Sequence, residues 1–156
     1  MAIQLDYLSD YPALLPEFAE LNFNEWGHYK PGNTLEAQTE RMRASCGKGS
    51  VPSVVIAHDG AQLLGGALLL VNDLDSRPEL TPWLAGVYVK EEHRGRGIAS
   101  QLVQRIVEEA RLIGVPELYL CTVHAQALYA GLGWEVVEDV EEDDVVVTVM
   151  KRGTAA

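Results

Sequence analysis

The sequence predicts an α/β domain of the α+β kind, a mixed sheet with helices packed against it, and three observations carry that prediction. Apolar runs of strand period and of helical period follow one another in the order β, α, α, β, β, β, α, β, α, β, β. Two of the β-rich runs are joined by Asp59-Gly60, a dipeptide whose tolerance of positive φ suits a tight hairpin. No repeat, linker or shift of composition interrupts the 156 residues, so residues 1–156 are expected to share one core as a single domain. A chain of this length buries roughly 68–70% of its unfolded surface without metal or disulfide.

Each element has its own local reason. Ile3, Leu5 and Tyr7 alternate with polar residues, as in a half-buried strand. Tyr11 to Gly27 reads as a helix with Leu14, Leu15, Phe18 and Leu21 on one side, and Pro31-Gly32 breaks the chain after it. A second, short helix runs to Ala44 from a cap at Asn33 or Thr34. Ser53 to His58 and Gln62 to Val71 form the hairpin, and Trp83 to Val89 is the next strand. Ile98 to Ile113 is a helix whose Ile98, Leu102, Ile106, Ala110 and Ile113 fall on one face. Glu117 to Val123 is a strand, Gln126 to Gly131 a short helix, and Trp134 to Val137 and Val145 to Lys151 the last two strands. Between those strands Glu138 to Asp144 carries six acids; burying them costs too much, so the segment is expected on a solvated hairpin loop, with a cation site as the other reading.

Composition narrows the partners. A net charge of −11 excludes nucleic acid or an anionic membrane as the main partner, since both are held by clustered Lys and Arg, and it suits a cationic or neutral substrate. Cys46 and Cys121 match no metal or CxxC spacing and read as reduced thiols, and no signal or spanning segment is present, so a cytoplasmic protein is expected.

The chemistry concentrates at Glu92-His93-Arg94-Gly95-Arg96-Gly97-Ile98-Ala99-Ser100, after one strand and before an amphipathic helix. Gly95 and Gly97 can turn consecutive N–H groups into one concavity, and the helix adds its first-turn N–H groups and positive dipole end. The dipole contributes about 0.3–1 kcal/mol toward an anion, and each hydrogen bond to a charged oxygen about 1.5–3 kcal/mol; convergent amides therefore dominate. Arg94 and Arg96 add local positive charge. The other reading is a plain strand-to-helix turn with solvated arginines. The sequence is neither a nucleotide P-loop nor GxGxxG, though a generic nest for another nucleotide stays open.

Arg94-Gly95-Arg96-Gly97-Ile98-Ala99 resembles the Arg/Gln-x-x-Gly-x-Gly/Ala signature of the GNAT superfamily of N-acetyltransferases, and Ala125-Gln126-Ala127-Leu128-Tyr129-Ala130-Gly131-Leu132-Gly133-Trp134 resembles the family's Ala-x-x-Leu-Tyr-x-x-x-Gly-Phe segment with Trp for Phe. The resemblance is specific over about Val87 to Val137. It implies the GNAT-like acyl-CoA N-acyltransferase fold, a mostly antiparallel sheet whose central parallel strands splay to admit pantetheine. It also implies acetyl-CoA as co-substrate, no metal, and a small-molecule or peptide amine as acceptor. Edge strands of such folds commonly pair, so a homodimer is open. By the same resemblance Val87, Tyr88 and Val89 pair with pantetheine, Arg94, Gly95, Arg96, Gly97, Ile98, Ala99 and Ser100 bind the pyrophosphate, and Thr122 stands where relatives carry a pantetheine-binding Asn.

Acetyl transfer needs a stabilised oxyanion, an acid for the leaving thiolate and a neutral amine. The Val87 N–H, beside Gly86 in a strand open to bulging, is the candidate oxyanion donor. Tyr129 is the candidate acid, against the reading in which Leu128, Tyr129, Leu132 and Trp134 pack under the sheet. The base is harder. Relatives often carry a Glu on the strand before the turn, and Trp83 to Val89 has no acid. Glu25, Trp26, His28 and Tyr29, at the end of the first helix, could bind a cationic amine, with His28 or Glu25 taking its proton. They could equally be a helix terminus with Trp26 in the core and His28 on the last carbonyls. The missing strand acid leaves a non-catalytic acyl-CoA-binding or interaction domain as the alternative.

Overall fold

The structure, a computed structural model, describes residues 2–155. Seven strands form one sheet: β1 (Gln4–Tyr7), β2 (Ser53–His58), β3 (Leu63–Leu70), β4 (Trp83–Val89), β5 (Glu117–Thr122), β6 (Glu135–Glu142) and β7 (Val145–Gly153). Their order is β1-β2-β3-β4-β5-β7-β6. Every pairing is antiparallel except β4 with β5. Helices α1 (Leu15–Trp26), α2 (Leu35–Ala44), α3 (Ile98–Leu112) and α4 (Gln126–Gly131) complete the fold.

Both faces of the sheet centre are covered. On β2, Val55 and Ala57 join the core under α3 with Leu102, Ile106 and Leu118, whereas Val54 and Ile56 join Phe18, Ala19 and Met42 of α1 and α2. This explains why β2 reads as a continuous apolar run. Thr34 Oγ1 caps α2 by accepting from Ala37 N at 3.1 Å. The hairpin turn closes with Asp59 Oδ1 accepting from the Ala61 and Gln62 N–H groups, which hold its carboxyl near 2.

Three expectations change. The first helix starts at Leu15, and two 3-10 turns, Leu8–Asp10 and Pro12–Leu14, precede it. Proline lacks an N–H and is tolerated only at a helix start, so Pro16 sits in the first turn of α1. Helix α3 ends at Leu112, leaving Ile113 37% exposed beyond the apolar face. The acidic segment is not a loop: β6 runs through Glu142, and only Asp143 and Asp144 turn, both at positive φ. Desolvation forbids burying these acids but does not forbid a strand, and on the edge strand β6 they stay wet while Val140 points inward.

Two of these acids fasten the segment 71–82 between β3 and β4. Glu138 forms a bidentate pair with Arg77, at 3.1 and 2.9 Å, and Glu142 accepts from the backbone N–H of Asp75 and Ser76 at 3.3 and 2.8 Å. Beneath them Leu74 is buried with Trp83, Val140 and Val149.

Candidate active site

The site grows from one break in the sheet. Strands β4 and β5 pair only at Trp83 with Tyr119, so beyond that level the two strands part. On its other side β4 is interrupted as well. Gly66 pairs with Tyr88 and Leu68 with Ala85, which sets Gly86 and Val87 of β4 against the single Ala67 of β3. This is a β-bulge, and Gly86 makes it with φ +60°. A Cβ at Gly86 would lie 2.6 Å from both Asn22 Oδ1 and Leu68 Cδ1, so only glycine fits.

After β4 the chain makes a short 3-10 turn, Glu91–His93, and enters the glycine-rich segment. Gly95 and Gly97 take φ of +80° and +76°, and no atom lies within 4 Å of a Cβ built on either. Their open side belongs to a cavity of about 260 Å³ lined by Val89, His93, Arg94, Gly95, Gly97, Ile98, Ala99, Ser100 and Leu128. Gly97 is the N-cap of α3, so the unpaired first-turn N–H groups are at this cavity. The two arginines are held. Arg94 Nε donates to Val89 O at 2.9 Å with its guanidinium 5.5 Å from the Tyr88 ring centre, and Arg96 lies 3.0 Å from Nδ1 of buried His93.

On the far side of the parting, Thr122 Oγ1 accepts from Ala125 N at 3.0 Å at the turn into α4, which leaves its O–H to donate. From α4, Tyr129 is 8% exposed and meets Trp134 edge-on at 6.2 Å. Burial, with the neighbouring Cys121 sulfur, pushes its phenol up to about 12, so it stays protonated at neutral pH. Leu128 is 42% exposed at the cavity rather than packed under the sheet.

Residues from the end of α1 are brought only partly to this place. Trp26 is half-buried and meets Tyr88 of β4 edge-on at 6.2 Å. Glu25 and His28 are exposed, and His28 packs on Tyr29 at 4.3 Å. The Gly27 carbonyl is satisfied by Lys30 N and Asn33 Nδ2, not by His28.

Sequence reasoning missed three neighbours of the parted strands. Asn22 is buried on the apolar face of α1, four residues after Phe18, a readable signal because a polar residue interrupts a core stripe. Cys121 was visible only as a thiol. Asp73 lies in the segment between β3 and β4, where no local pattern marks it. The Cys121 thiol donates to Asp73 Oδ2 at 3.6 Å.

A sheet that parts beside a bulge, with an amide-lined cavity at the following helix, defines an acyl-CoA N-acyltransferase fold. The profile of the GNAT acetyltransferase family matches residues 11–134, and the chain belongs to that family of acetyl-CoA-dependent N-acetyltransferases. The fold has many solved counterparts. An aminoglycoside 6′-N-acetyltransferase complexed with coenzyme A superposes with TM-score 0.77 at 17% identity, covering 100% of this chain and 98% of the other. Spermidine N-acetyltransferase from Vibrio cholerae, in complex with CoA and spermine, gives 0.73 at 18% identity, covering 97% and 95%. Ribosomal-protein-alanine N-acetyltransferase from Brucella melitensis gives 0.71 at 21% identity, covering 98% and 99%. No curated protein sequence matches the chain. Among the described residues, no group of His, Cys, Asp and Glu could hold a metal, and no helix is long and apolar enough to cross a membrane.

Proposed function

We propose that this protein transfers an acetyl group directly from acetyl-CoA to a primary amine of a small cationic molecule, acting as one domain over residues 1–156 in the cytoplasm. The observation that carries the reading is that the cavity at Gly95 and Gly97 reaches Val89, the end of the stretch of β4 that follows the Gly86 bulge and does not pair with β5. The residues fit acetyl-CoA: glycines without a side chain leave the amides of 95–100 open to a pyrophosphate, and Val87 to Val89 offer main-chain groups to pantetheine. When bound, acetyl-CoA supplies an acetyl group already activated as a thioester.

The chain's own groups do the rest. The Val87 N–H, set apart from the β3 ladder by the bulge, polarises the acetyl carbonyl; one such donor contributes about 2.7–4 kcal/mol. Tyr129 holds a proton for the departing sulfur. Trp26 and Tyr88 give an aromatic wall for a cation, and the chain's net charge of −11 draws one in.

Isothermal titration of acetyl-CoA, followed by a thiol-release assay with spermidine, kanamycin and an alanine-initiated peptide, tests this reading. Binding with turnover on spermidine or kanamycin is expected. Turnover on the peptide alone would replace the small-amine part, and no coenzyme binding would sink the reading whole.

A further inference from the structure

We infer that Asp73 is the group that takes the proton from the acceptor ammonium, in place of the carboxylate that β4 lacks. The inference rests on the proposed transfer to an amine and adds to it the missing base.

In parallel register from the Trp83 and Tyr119 pair, Cys121 stands level with Ala85, one residue before the Gly86 bulge. Cys121 packs with Trp83 and Tyr119 on the face covered by the segment 71–82. Asp73 caps that level, 3.6 Å from the Cys121 thiol, while buried Tyr129 of α4 packs on the other face, with Leu118 and Leu120 in the core under α3. A proton acceptor and a proton donor thus stand on opposite faces of the sheet, on either side of β5. Asp73 is also uncommitted. Among the described residues it has no cation within ion-pair distance and no N–H donor, and a thiol is a weak donor that leaves the second oxygen free. It is held in place nonetheless, by buried Leu74 next to it and by Glu142 on the N–H groups of Asp75 and Ser76.

The surrounding charges suit the task. Cys121 faces Asp73 from β5, Glu142 from β6, Asp75 from its own segment, and Lys30, itself paired with Asp75 at 3.1 Å, from the chain after α1. Burial is the largest influence and, with Glu142 and Asp75, outweighs Cys121 and Lys30, so the carboxyl is pushed up to about 7. That value lies near neutrality, where a base both accepts a proton and releases it. By contrast, Glu25 and His28 are exposed, and no hydrogen bond ties either to β4.

The step balances. An N–H bond of the ammonium breaks and its proton goes to the Asp73 carboxylate. The freed lone pair forms the C–N bond to the acetyl carbonyl, and the C–S bond breaks with its electron pair on sulfur. Sulfur takes the Tyr129 proton, the phenolate recovers one from the new amide nitrogen through water, and Asp73 returns its proton to solvent.

The test uses the full chain labelled with ¹³C at aspartate carboxyls, the Asp73→Asn variant, and spermidine and kanamycin as acceptors. The signal missing from Asp73→Asn should titrate near neutrality in the free protein. The variant should bind acetyl-CoA as the wild type does, lose about 10²–10⁴-fold in kcat/KM for the acceptor, and lose the acid limb of the pH profile near pH 7. Asp73→Glu should restore part of both. A carboxyl titrating below pH 5, or a variant with wild-type rate and profile, overturns the role of Asp73 while leaving the acetyltransfer reading intact. A wild type that binds acetyl-CoA but acetylates neither amine overturns both.

Discussion

Replacing Asp73 by Asn should make the protein more stable, and the gain should depend on pH in a way fixed by the site. The folded carboxyl sits at about 7 against an ordinary value of 3.8, chiefly through burial. Between those values the native state binds a proton that the unfolded chain does not, so this group's contribution falls as pH rises from about 4 to 7 and is level above that. At about 1.4 kcal/mol per pH unit, an ionised Asp73 costs the fold up to about 4 kcal/mol at pH 8, and water reaching the partly buried side chain lowers this to about 2–4 kcal/mol. Asparagine keeps an acceptor for the Cys121 thiol and never ionises. Urea unfolding should therefore show Asp73→Asn equal to wild type at pH 4 and about 2–4 kcal/mol more stable at pH 8, or roughly 5–15 °C in Tm. The difference between variant and wild type is the quantity to plot, since the many surface acids cancel in it. A variant no more stable than wild type at pH 8, with unchanged m-value, would show that this carboxylate is not under strain.

Three other outcomes are expected. Gly97→Ala places a side chain at φ +76° and a methyl in the open cavity; it should cost about 1–2 kcal/mol of stability, and calorimetry should show acetyl-CoA Kd rising at least about tenfold as amide hydrogen bonds are lost. Tyr129→Phe should lower kcat about 100-fold with unchanged coenzyme affinity; equal turnover from pH 6 to 9 would remove the acid role. Gly86→Ala meets Asn22 and Leu68 at 2.6 Å with φ +60°, so urea unfolding should report a loss of about 2–3 kcal/mol. Its surviving folded fraction should be slow, because Val87 is displaced.

The geometry of the glycine-rich turn was largely legible because it is local. A glycine-rich turn, the helix that follows it and a Tyr in α4 lie within continuous stretches, and Gly95 and Gly97 do take positive φ beside a cavity. The bulge was foreseeable from Gly86 for the same reason. The acceptor side was not. Glu25, Trp26, His28 and Tyr29 are adjacent in the chain, yet helical geometry sends Trp26 to Tyr88 and leaves Glu25 and His28 outward. The acids from Glu138 to Asp144 read as a loop because charge content reports exposure, whereas an edge strand satisfies exposure and hydrogen bonding together.

By itself, then, the sequence determined the order of elements, the buried face of α3 and the glycine-rich turn before it, since each follows from periodicity or from backbone freedom within a few residues. Only the tertiary structure decided that β4 and β5 part beyond Trp83, that Glu138 and Glu142 clamp the segment carrying Asp73, and that Asp73 meets Cys121 of β5. These residues are separated by up to 69 positions in the chain, and a sheet brings them together through register and crossover, which no local pattern encodes.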